Sequence, residues 1–264
     1  MIDSFQIIPA AKNKVPVIVS VPHCGTVIPP EIKSSFKPAA IAFMDDTDWF
    51  VNRLYDFVPE MGITMIHAIY SRWVIDLNRP PGNQPLYKDG RIITDLVPTT
   101  DFLGNDLYQD APPDEKEITR RTRLYYNPYH KALADLLQGL KEEFGSALLF
   151  DAHSIRQHVP TISKEKLPDL ILGDNEGMSA GNRFTKAALH PLKQSPYGIR
   201  HNFLFKGGYI TRNFGQPKEN IHALQLEMTK INYMNKDETS YHPQRAMKMK
   251  ETLMQVFKAL IDLI

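Results

Sequence analysis

Short apolar runs alternate along this chain with longer segments in which apolar residues recur every three or four positions. The runs predict buried strands at 17–21, 63–68, 72–77, 147–150, 170–174, 201–205 and 221–228. The longer segments predict helices at 46–57, 114–144, 179–192 and 245–263, with a kink or break where Asn127 precedes Pro128. Because strands and helices alternate, we expect an α/β fold built on a mostly parallel sheet.

One long segment departs from this alternation. Residues 80–113 are rich in Pro, Gly, Asp and Asn, and the segment is too long for a plain connection between two elements. We therefore expect an irregular excursion that could act as a lid over a site. Neither a repeat nor a linker divides the 264 residues, which predicts one domain over residues 1–264.

Composition and charge narrow the class of protein. A hydrophobic fraction of 42% and a charged fraction of 23% are ordinary for a globular chain. The formal net charge is +1 and no block of like charges stands out, so we expect neither nucleic acid nor a membrane surface as partner. The N-terminus lacks a signal-peptide pattern, and no apolar run approaches about 18 residues. These features predict a cytoplasmic protein with a small-molecule partner.

The single cysteine limits how a metal ion could be held. Cys24 excludes an intrachain disulfide and a cysteine-based zinc site, so histidines and carboxylates must supply any ligands. Because Cys24 follows His23 directly, a thiol nucleophile paired with a histidine is an alternative. Neighbouring strand residues point to opposite faces, however, which disfavours that pairing.

Two histidines follow or end predicted strands. His23 follows the run 17–21, and Asp151-Ala152-His153 follows the run 147–150. Open α/β sheets bind their ligands in the crevice at the carboxyl ends of the strands, so both imidazoles are candidate metal ligands there. Asp151 and His153 alternate along the chain and could share one face, where the aspartate could orient a ligand histidine.

Three aspartates crowd a short segment after the first histidine. Asp45, Asp46 and Asp48 lie within four positions, which is unfavourable unless a cation or a helix N-terminus compensates their charge. One interpretation is a metal ligand among them. The other is a capping cluster in which Thr47 or Asp48 begins the helix 46–57.

Glu227 lies in an apolar strand, where a buried and unpaired carboxylate would be costly. Strand alternation also allows a half-exposed surface strand. We favour a functional role, since a glutamate beside a cation can act as general base towards a metal-activated water.

Several arginines lie near predicted strand ends or loops, where a guanidinium could bind a substrate carboxylate through two hydrogen bonds. They are Arg72, Arg79, Arg156, Arg200 and Arg212.

With these residues in place, the chain resembles the N-formylglutamate amidohydrolase family, also called N-formylglutamate deformylases. The motifs that carry the resemblance span nearly the whole chain in order: Ser20-Val21-Pro22-His23-Cys24-Gly25, Asp46-Thr47-Asp48-Trp49, Ser71-Arg72-Trp73-Val74-Ile75-Asp76-Leu77-Asn78-Arg79, Asp151-Ala152-His153-Ser154, Ile171-Leu172-Gly173-Asp174, Gly207-Gly208-Tyr209-Ile210-Thr211-Arg212 and Gln225-Leu226-Glu227. Each motif is weak alone, but the ordered series is specific. The family more often has Ser where this chain has Cys24.

The family is similar in fold to zinc carboxypeptidases and aspartoacylase. This resemblance implies a three-layer α/β sandwich around a mixed, mostly parallel sheet, with one catalytic divalent ion held by two histidines and a carboxylate. It assigns His23 and His153 as the histidine ligands and Asp48 as the carboxylate, with Asp46 as second choice. Zinc is the expected ion, although such ligands also suit iron, cobalt, nickel or manganese.

The resemblance further implies a reaction. We expect hydrolysis of the formamide C–N bond of N-formyl-L-glutamate to formate and L-glutamate, a step of histidine degradation. Glu227 would act as general base, and Arg79 would stabilise the oxyanion or bind a carboxylate. Arg212, Asn78 and Arg156 are the expected substrate-binding residues. The alternatives are a zinc deacylase or amidase for another N-acyl amino acid or small peptide, and a non-catalytic small-molecule binding protein.

Overall fold

The computed structural model describes residues 3–82, 84, 86 and 94–264. Within these residues seven strands form one sheet in the order β1-β3-β2-β4-β7-β5-β6. The strands are Phe5–Ile8 (β1), Val17–Val21 (β2), Thr64–Ala68 (β3), Ala147–Ile155 (β4), Leu170–Gly173 (β5), Ile199–His201 (β6) and Ile221–Thr229 (β7).

The sheet is mixed, with a parallel centre. β3, β2, β4 and β7 pair in parallel in that order. β1 pairs antiparallel with β3 at one edge, and β5 pairs antiparallel with β7 and parallel with β6 at the other. Because β2, β4 and β7 are parallel, their carboxyl ends lie side by side and form what we call the carboxyl edge of the sheet. The residues predicted to form the site lie at this carboxyl edge.

Helices cover both faces of this sheet. The helices of the described chain are Pro30–Lys33 (α1), Pro38–Ala42 (α2), Val51–Leu54 (α3), Glu115–Arg121 (α4), Asn127–Phe144 (α5), Asn182–Gln194 (α6), Tyr209–Phe214 (α7) and Pro243–Ile261 (α8). Short 3-10 turns lie at Val58–Met61, Pro217–Glu219 and Lys230–Asn232. A π-helical turn, Thr122–Tyr126, joins α4 to α5 just before Pro128, which is the position of the predicted kink.

Two apolar cores lie on opposite faces of the sheet. Val17, Val19 and Val21 of β2 belong to one core, which includes buried residues of α3, α6 and α8. Ile18 belongs to the other core, which includes the leucines of α5. This alternation is the period of two expected of a strand covered on both faces. The three-layer α/β sandwich is therefore confirmed.

The helix predicted over 46–57 is much shorter, and the capping prediction is wrong. α3 spans only Val51–Leu54, and its N-cap residue is Phe50, in the left-handed region with φ of 64°. The backbone N–H of Asp48 instead donates to the carbonyl of His23 over 3.0 Å. Residues 45–48 therefore form a loop, which the hydrogen bond from Asp48 to His23 holds against the end of β2.

The strand predicted over 72–77 is also wrong. This segment is a series of turns, in which the carboxylate of Asp76 accepts hydrogen bonds from Arg72 over 2.5 Å and from the backbone N–H of Asn78 over 2.8 Å. Local side-chain bonds of this kind compete with strand pairing. Arg79 therefore follows a turn and not a strand.

Three smaller differences concern element limits. The strand predicted over 201–205 is displaced to Ile199–His201, and the helix Tyr209–Phe214 lies in a segment for which the sequence pattern predicts no helix. The sequence pattern did not predict β1, because the strand has only four residues and none of them is buried.

The described part of the segment 80–113 contains neither a helix nor a strand, as predicted. Isolated bridges pair Phe36 with Tyr108 and Thr100 with Asp106. Residues 83, 85 and 87–93 of the predicted lid lie outside the described residues, and lid motion stays a prediction. Among the helices that the structure describes, none combines the length and apolar character needed to cross a membrane.

Candidate metal centre and active site

His23, Asp48 and His153 meet in a buried group at the carboxyl edge of the sheet. One ligand atom from each residue lies within 4.8 Å of the others. The Oδ2 atom of Asp48 lies 3.2 Å from Nδ1 of His153 and 3.8 Å from Nδ1 of His23. The two imidazole rings are tilted, with their centroids 4.9 Å apart. The residues predicted as metal ligands are therefore brought together.

The two histidines present the same nitrogen to the centre. Each turns Nδ1 towards Asp48, and each holds Nε2 against a second aspartate. Nε2 of His23 lies 2.7 Å from Oδ1 of Asp76, and Nε2 of His153 lies 3.0 Å from Oδ2 of Asp151. Such a partner fixes the ring orientation and the tautomer of a metal-binding histidine. The predicted orienting role of Asp151 matches this contact.

Charge at the centre is set by burial and by these aspartates. Burial and the charge of Arg72 lower the pKa of His23. Burial also acts to lower the pKa of His153, but Asp151 and Asp48 outweigh it and hold that pKa well above its usual range. The side chains therefore form a compact, charged group in a protein interior that otherwise disfavours charge.

The donor set fits a divalent ion. Two atoms bound to one tetrahedral zinc at about 2.0–2.1 Å lie roughly 3.3 Å apart, close to the separations of Oδ2 of Asp48 from the two Nδ1 atoms. Two imidazoles and one carboxylate are also a common donor set of catalytic zinc. The group could hold a metal ion.

Glu227 stands beside this group. Glu227 lies opposite His153 in the parallel pairing of β7 with β4, and both residues line the same cavity. Glu227 is 8% exposed, and its Oε1 has no hydrogen-bond partner among the described residues. Burial raises the pKa of Glu227 to about 8. An unpartnered carboxylate oxygen at this place needs a water molecule or a cation to satisfy it.

Asp46, the second choice for the carboxylate ligand, lies outside the group of three. Its Oδ2 accepts hydrogen bonds from Trp73 Nε1 over 3.0 Å and from the backbone N–H of Phe102 over 3.1 Å. Burial raises the pKa of Asp46 to about 6. Asp46 therefore fastens two neighbouring segments, while Asp48 faces the histidines.

The cavity in front of the histidines is lined by two arginines. The guanidinium of Arg72 is bonded to Asp76 and lies 4.7 Å from the centre of the Phe102 ring. Arg79 donates from Nε to the carbonyl of Thr94 over 2.8 Å and from Nη2 to its hydroxyl over 3.1 Å. Both guanidinium groups are held in place by partners, which is the arrangement needed for oriented binding of an anion.

The rest of the cavity wall is divided between polar and apolar groups. Nδ2 of Asn78 lies 2.9 Å from Nε2 of His153, and the side-chain oxygen of Gln225 accepts a hydrogen bond from the backbone N–H of Gly208 over 2.6 Å. Asn78 had been predicted to bind substrate, and it lines the cavity. The apolar side of the cavity is formed by Leu86, Phe102, Ile155, Ile162 and Phe205.

Two arginines predicted to bind substrate lie elsewhere. Arg156 pairs with Asp45, with Nε 2.5 Å from Oδ1, and with Glu238 over 3.4 Å. Arg212 donates from Nε to the carbonyl of Gly207 over 2.8 Å. Neither residue lines the cavity that holds the histidines. Their substrate-binding role stays a prediction.

The alternative of a thiol nucleophile receives no support. Cys24 is buried, and its thiol lies 3.5 Å from the carbonyl of Val21 and 3.6 Å from that of Ala68. Burial raises its pKa, so the neutral thiol is favoured over the nucleophilic thiolate.

Two residues of the site could not be assigned from the sequence pattern. From sequence, Arg72 is only one of several arginines near a predicted strand end, and Asp76 has no predicted role. The signal that could have found them is their spacing, because Arg72 and Asp76 are four positions apart in a motif already singled out. The false strand prediction placed them on a sheet and hid their contact.

An α/β sandwich with a buried His, Asp and His group at the carboxyl edge of its sheet is typical of the metal-dependent hydrolase class. The sequence model described as N-formylglutamate amidohydrolase matches residues 15–234, which include all three residues of the group. The chain belongs to the N-formylglutamate amidohydrolase family.

Relatives agree with this assignment. The chain is 40% identical over 260 residues to the N-formylglutamate deformylase of Pseudomonas aeruginosa, covering 97% of this chain and 95% of that protein. It is 37% identical over 254 residues to the N-formylglutamate deformylase of Pseudomonas putida, covering 95% and 94%. The crystal structure of N-formylglutamate amidohydrolase from Ralstonia eutropha JMP134 has the same fold, with a TM-score of 0.83, 24% identity and 98% coverage of each chain.

Proposed function

We propose that the protein hydrolyses the formamide C–N bond of N-formyl-L-glutamate to formate and L-glutamate, as a step of histidine degradation. The observation that carries this proposal is the buried group of His23, Asp48 and His153 beside Glu227 Oε1, which has no hydrogen-bond partner in the described chain. The names of the two Pseudomonas relatives support the choice of substrate.

One zinc ion is the proposed cofactor, and His23, Asp48 and His153 would hold it. When bound, such an ion supplies a Lewis acid that polarises the formyl oxygen and lowers the pKa of a bound water towards about 7. The aspartates behind the histidines keep both Nδ1 atoms aimed at the ion site. The buried charges of these aspartates thus favour one orientation of the two histidine rings.

Glu227 is the proposed general base and acid. Its carboxylate accepts a proton from the attacking water and returns this proton to the amine nitrogen as the C–N bond breaks. The nitrogen must receive this proton as the C–N bond breaks, because it would otherwise leave as an amide anion, which is a poor leaving group. With the proton it leaves as a neutral amine. Burial supports this role, since Oε1 of Glu227 has no competing hydrogen-bond donor in the described part of the chain.

Two arginines and Asn78 of the cavity are proposed to interact with the charged and polar groups of the substrate. Arg79 and Asn78 line the cavity and are proposed to bind a substrate carboxylate. Arg72 contacts the aspartate that holds His23 more closely than Arg79 does, since Oδ2 of Asp76 lies 2.5 Å from Nη2 of Arg72 and 4.0 Å from Nη1 of Arg79. We therefore assign to Arg72 the stabilisation of negative charge that develops on the formyl oxygen, a role that the sequence had suggested for Arg79.

The general-base role is tested with Glu227→Gln, which keeps the size of the side chain. Loss of the base should lower kcat for formate release by roughly 10²- to 10⁴-fold. Metal content should stay unchanged, because Glu227 is not one of the three ligands. Glu117→Gln is the matched control, since Glu117 pairs with Arg120 and Arg121 on α4 and does not line the cavity. Full activity in Glu227→Gln would contradict the assignment.

A further inference from the structure

Phe102 stands between the active-site cavity and a second, smaller cavity. The active-site cavity has a volume of about 90 Å³. The smaller cavity has a volume of about 10 Å³, close to the minimum that holds one water molecule. Phe102, Ser154 and Ile155 line both cavities. Of these three, Phe102 has the largest side chain, so its ring is the main partition between the two spaces.

The backbone of Phe102 is fixed on both sides. Its N–H donates to both carboxylate oxygens of Asp46, each over 3.1 Å, and its carbonyl accepts a hydrogen bond from the hydroxyl of Thr161. The carboxylate of Asp101 accepts hydrogen bonds from the N–H groups of Leu103 and Asn105, which closes the same turn. The backbone that carries the ring is therefore held at its N–H, at its carbonyl and in the turn that follows.

The second cavity lies beside the metal ligands. Asp46 lines it two positions before Asp48, and Ser154 lines it directly after His153. Its charged groups already have partners, because Arg156 pairs with the carboxylate of Asp45 and Lys230 donates to the carbonyl of Asp45 over 2.5 Å. The space behind Phe102 therefore offers room next to the ion site but no unoccupied cation for a carboxylate.

The substrate can be oriented from its chemistry. Its two carboxylates require the cationic side of the cavity, because a carboxylate against apolar side chains is costly. The acyl substituent is the uncharged end of the molecule, and the uncharged wall consists of Phe102 together with Leu86, Ile155, Ile162 and Phe205. The acyl group thus faces Phe102 when its carbonyl lies at the ion site.

We propose that Phe102 is a specificity-determining residue, which limits the acyl group to the size of formyl by closing off the cavity behind it. This inference rests on the proposed hydrolysis of an N-acyl glutamate. Truncation of the ring should join the two cavities and admit a longer acyl chain. In a wholly apolar pocket, one or two added carbon atoms change discrimination by on the order of 10- to 200-fold. Since charged residues line part of the smaller cavity, we expect an effect at the lower end of that range.

The experiment compares N-formyl-, N-acetyl- and N-propionyl-L-glutamate as substrates of the metal-loaded protein. Phe102→Ala should raise the ratio of kcat/KM for N-propionyl to that for N-formyl substrate by at least about tenfold. Phe102→Leu, which retains part of the partition, should give a smaller rise. A ratio between two substrates of one enzyme is insensitive to a general loss of active protein.

Leu103→Ala is the matched control. Leu103 lies in the same turn and lines only the smaller cavity, and it is 51% exposed. Its truncation should leave the ratio within about twofold of the wild type, since it removes no partition. If Leu103→Ala changed the ratio as much as Phe102→Ala, loosening of the turn would explain both effects and the proposal would be wrong.

The failure of this proposal is separable from failure of the proposed function. A wild-type protein that releases formate, together with an unchanged ratio in folded Phe102→Ala, contradicts the role of Phe102 alone. A wild type without turnover contradicts the proposed function. Calorimetric binding of the same three compounds then decides the role of Phe102: tighter binding of the N-propionyl compound to Phe102→Ala supports it, and unchanged binding overturns it.

Discussion

The imidazoles of the site depend on residues that never touch a metal ion. His23 and His153 each place Nδ1 at the centre because Asp76 and Asp151 hold the opposite nitrogens. Asp151 is itself held, since its Oδ1 accepts a hydrogen bond from Ser20 over 3.1 Å and its Oδ2 from Thr211 over 3.3 Å. A ligand histidine fixed in this way loses little orientational freedom on binding an ion.

Asp151→Asn tests this dependence. The amide cannot supply the negative charge that orients His153, so metal affinity should fall by roughly 10- to 100-fold. Competition with a chromophoric chelator measures the dissociation constant directly, without any assay of turnover. Unchanged affinity in folded Asp151→Asn would mean that Asp151 does not position the histidine.

Asp174→Asn provides the matched control for that substitution. Asp174 is also buried, and it accepts hydrogen bonds from Thr185 over 2.8 Å and from Asn202 over 2.7 Å. It does not line the active-site cavity. This variant should lose some stability and keep the metal affinity of the wild type.

At the residue scale, the sequence located His23, His153 and Glu227 because each lies at or near the end of an apolar strand, where the pattern leaves few interpretations. It could not separate Asp48 from Asp46 on spacing alone. The difference lies in a loop conformation: Asp48 N–H bonds to the carbonyl of His23, while Asp46 turns towards Trp73. Loop geometry of this kind depends on tertiary contacts, which a hydrophobic pattern does not encode.

At the scale of elements, the longest strands carry two of the proposed functional residues, His153 and Glu227. β4 and β7 each contain nine residues, and they pair in parallel from Ala147 and Ile221 to Ile155 and Thr229. The register places His153 opposite Glu227, so backbone hydrogen bonds fix the distance between the proposed ligand and the proposed base. A one-residue slip would move either side chain to the opposite face. The rigid pair of strands thus positions the chemistry.

A partly buried histidine, His130, links two helices to the segment that lines the cavity. Nε2 of His130 on α5 lies 2.8 Å from the carbonyl of Leu77, and its ring stacks on Tyr126 and on Phe214 of α7. Burial lowers the pKa of His130 to about 4. The folded state therefore prefers the neutral imidazole.

This preference predicts acid sensitivity. Below pH of about 6.5 the unfolded chain protonates its histidine while the folded chain does not, so the free energy of unfolding falls as the pH decreases from 6.5 to 4. The contribution of His130 to this loss is roughly 3 kcal/mol at most. His222, whose pKa burial lowers to about 4, acts in the same direction.

Urea unfolding of wild type and His130→Gln at pH 7 and pH 4.5 measures the effect. His130→Gln should lose less stability between the two pH values than the wild type does. Leu137→Ala is the control. It should lower the free energy of unfolding by about 2–5 kcal/mol at both pH values, because it leaves a cavity in the apolar core beneath α5. An equal pH dependence of wild type and His130→Gln would refute the assignment to His130.

The elements were predictable to different degrees. β2, β3, β5, β7 and α8 follow simple periodic patterns and were predicted within a few residues. The segment 72–77 has the apolar content of a strand, yet Arg72 and Asp76 form an internal ion pair that replaces strand pairing. Such a buried pair is favourable only in the finished site, so the apolar pattern of the segment does not predict it.

At the scale of the whole molecule, fold and family agree with the resemblance seen in the sequence. The mixed sheet gathers residues from distant parts of the chain, for example His23 and Glu227, at one edge. The apolar strands could be predicted, but their order in the sheet could not, because it depends on long-range pairing. The ordered motifs supplied what the hydrophobic pattern lacked.

Reversible loss of activity on metal removal tests the central claim most directly. Formate release from N-formyl-L-glutamate is measured with purified protein whose metal content is quantified, before chelation, after chelation and after return of zinc. We predict that activity disappears with the metal and returns as zinc is restored to one ion per chain. Undiminished formate release from metal-free protein, or no release from folded protein loaded with zinc, would contradict the account.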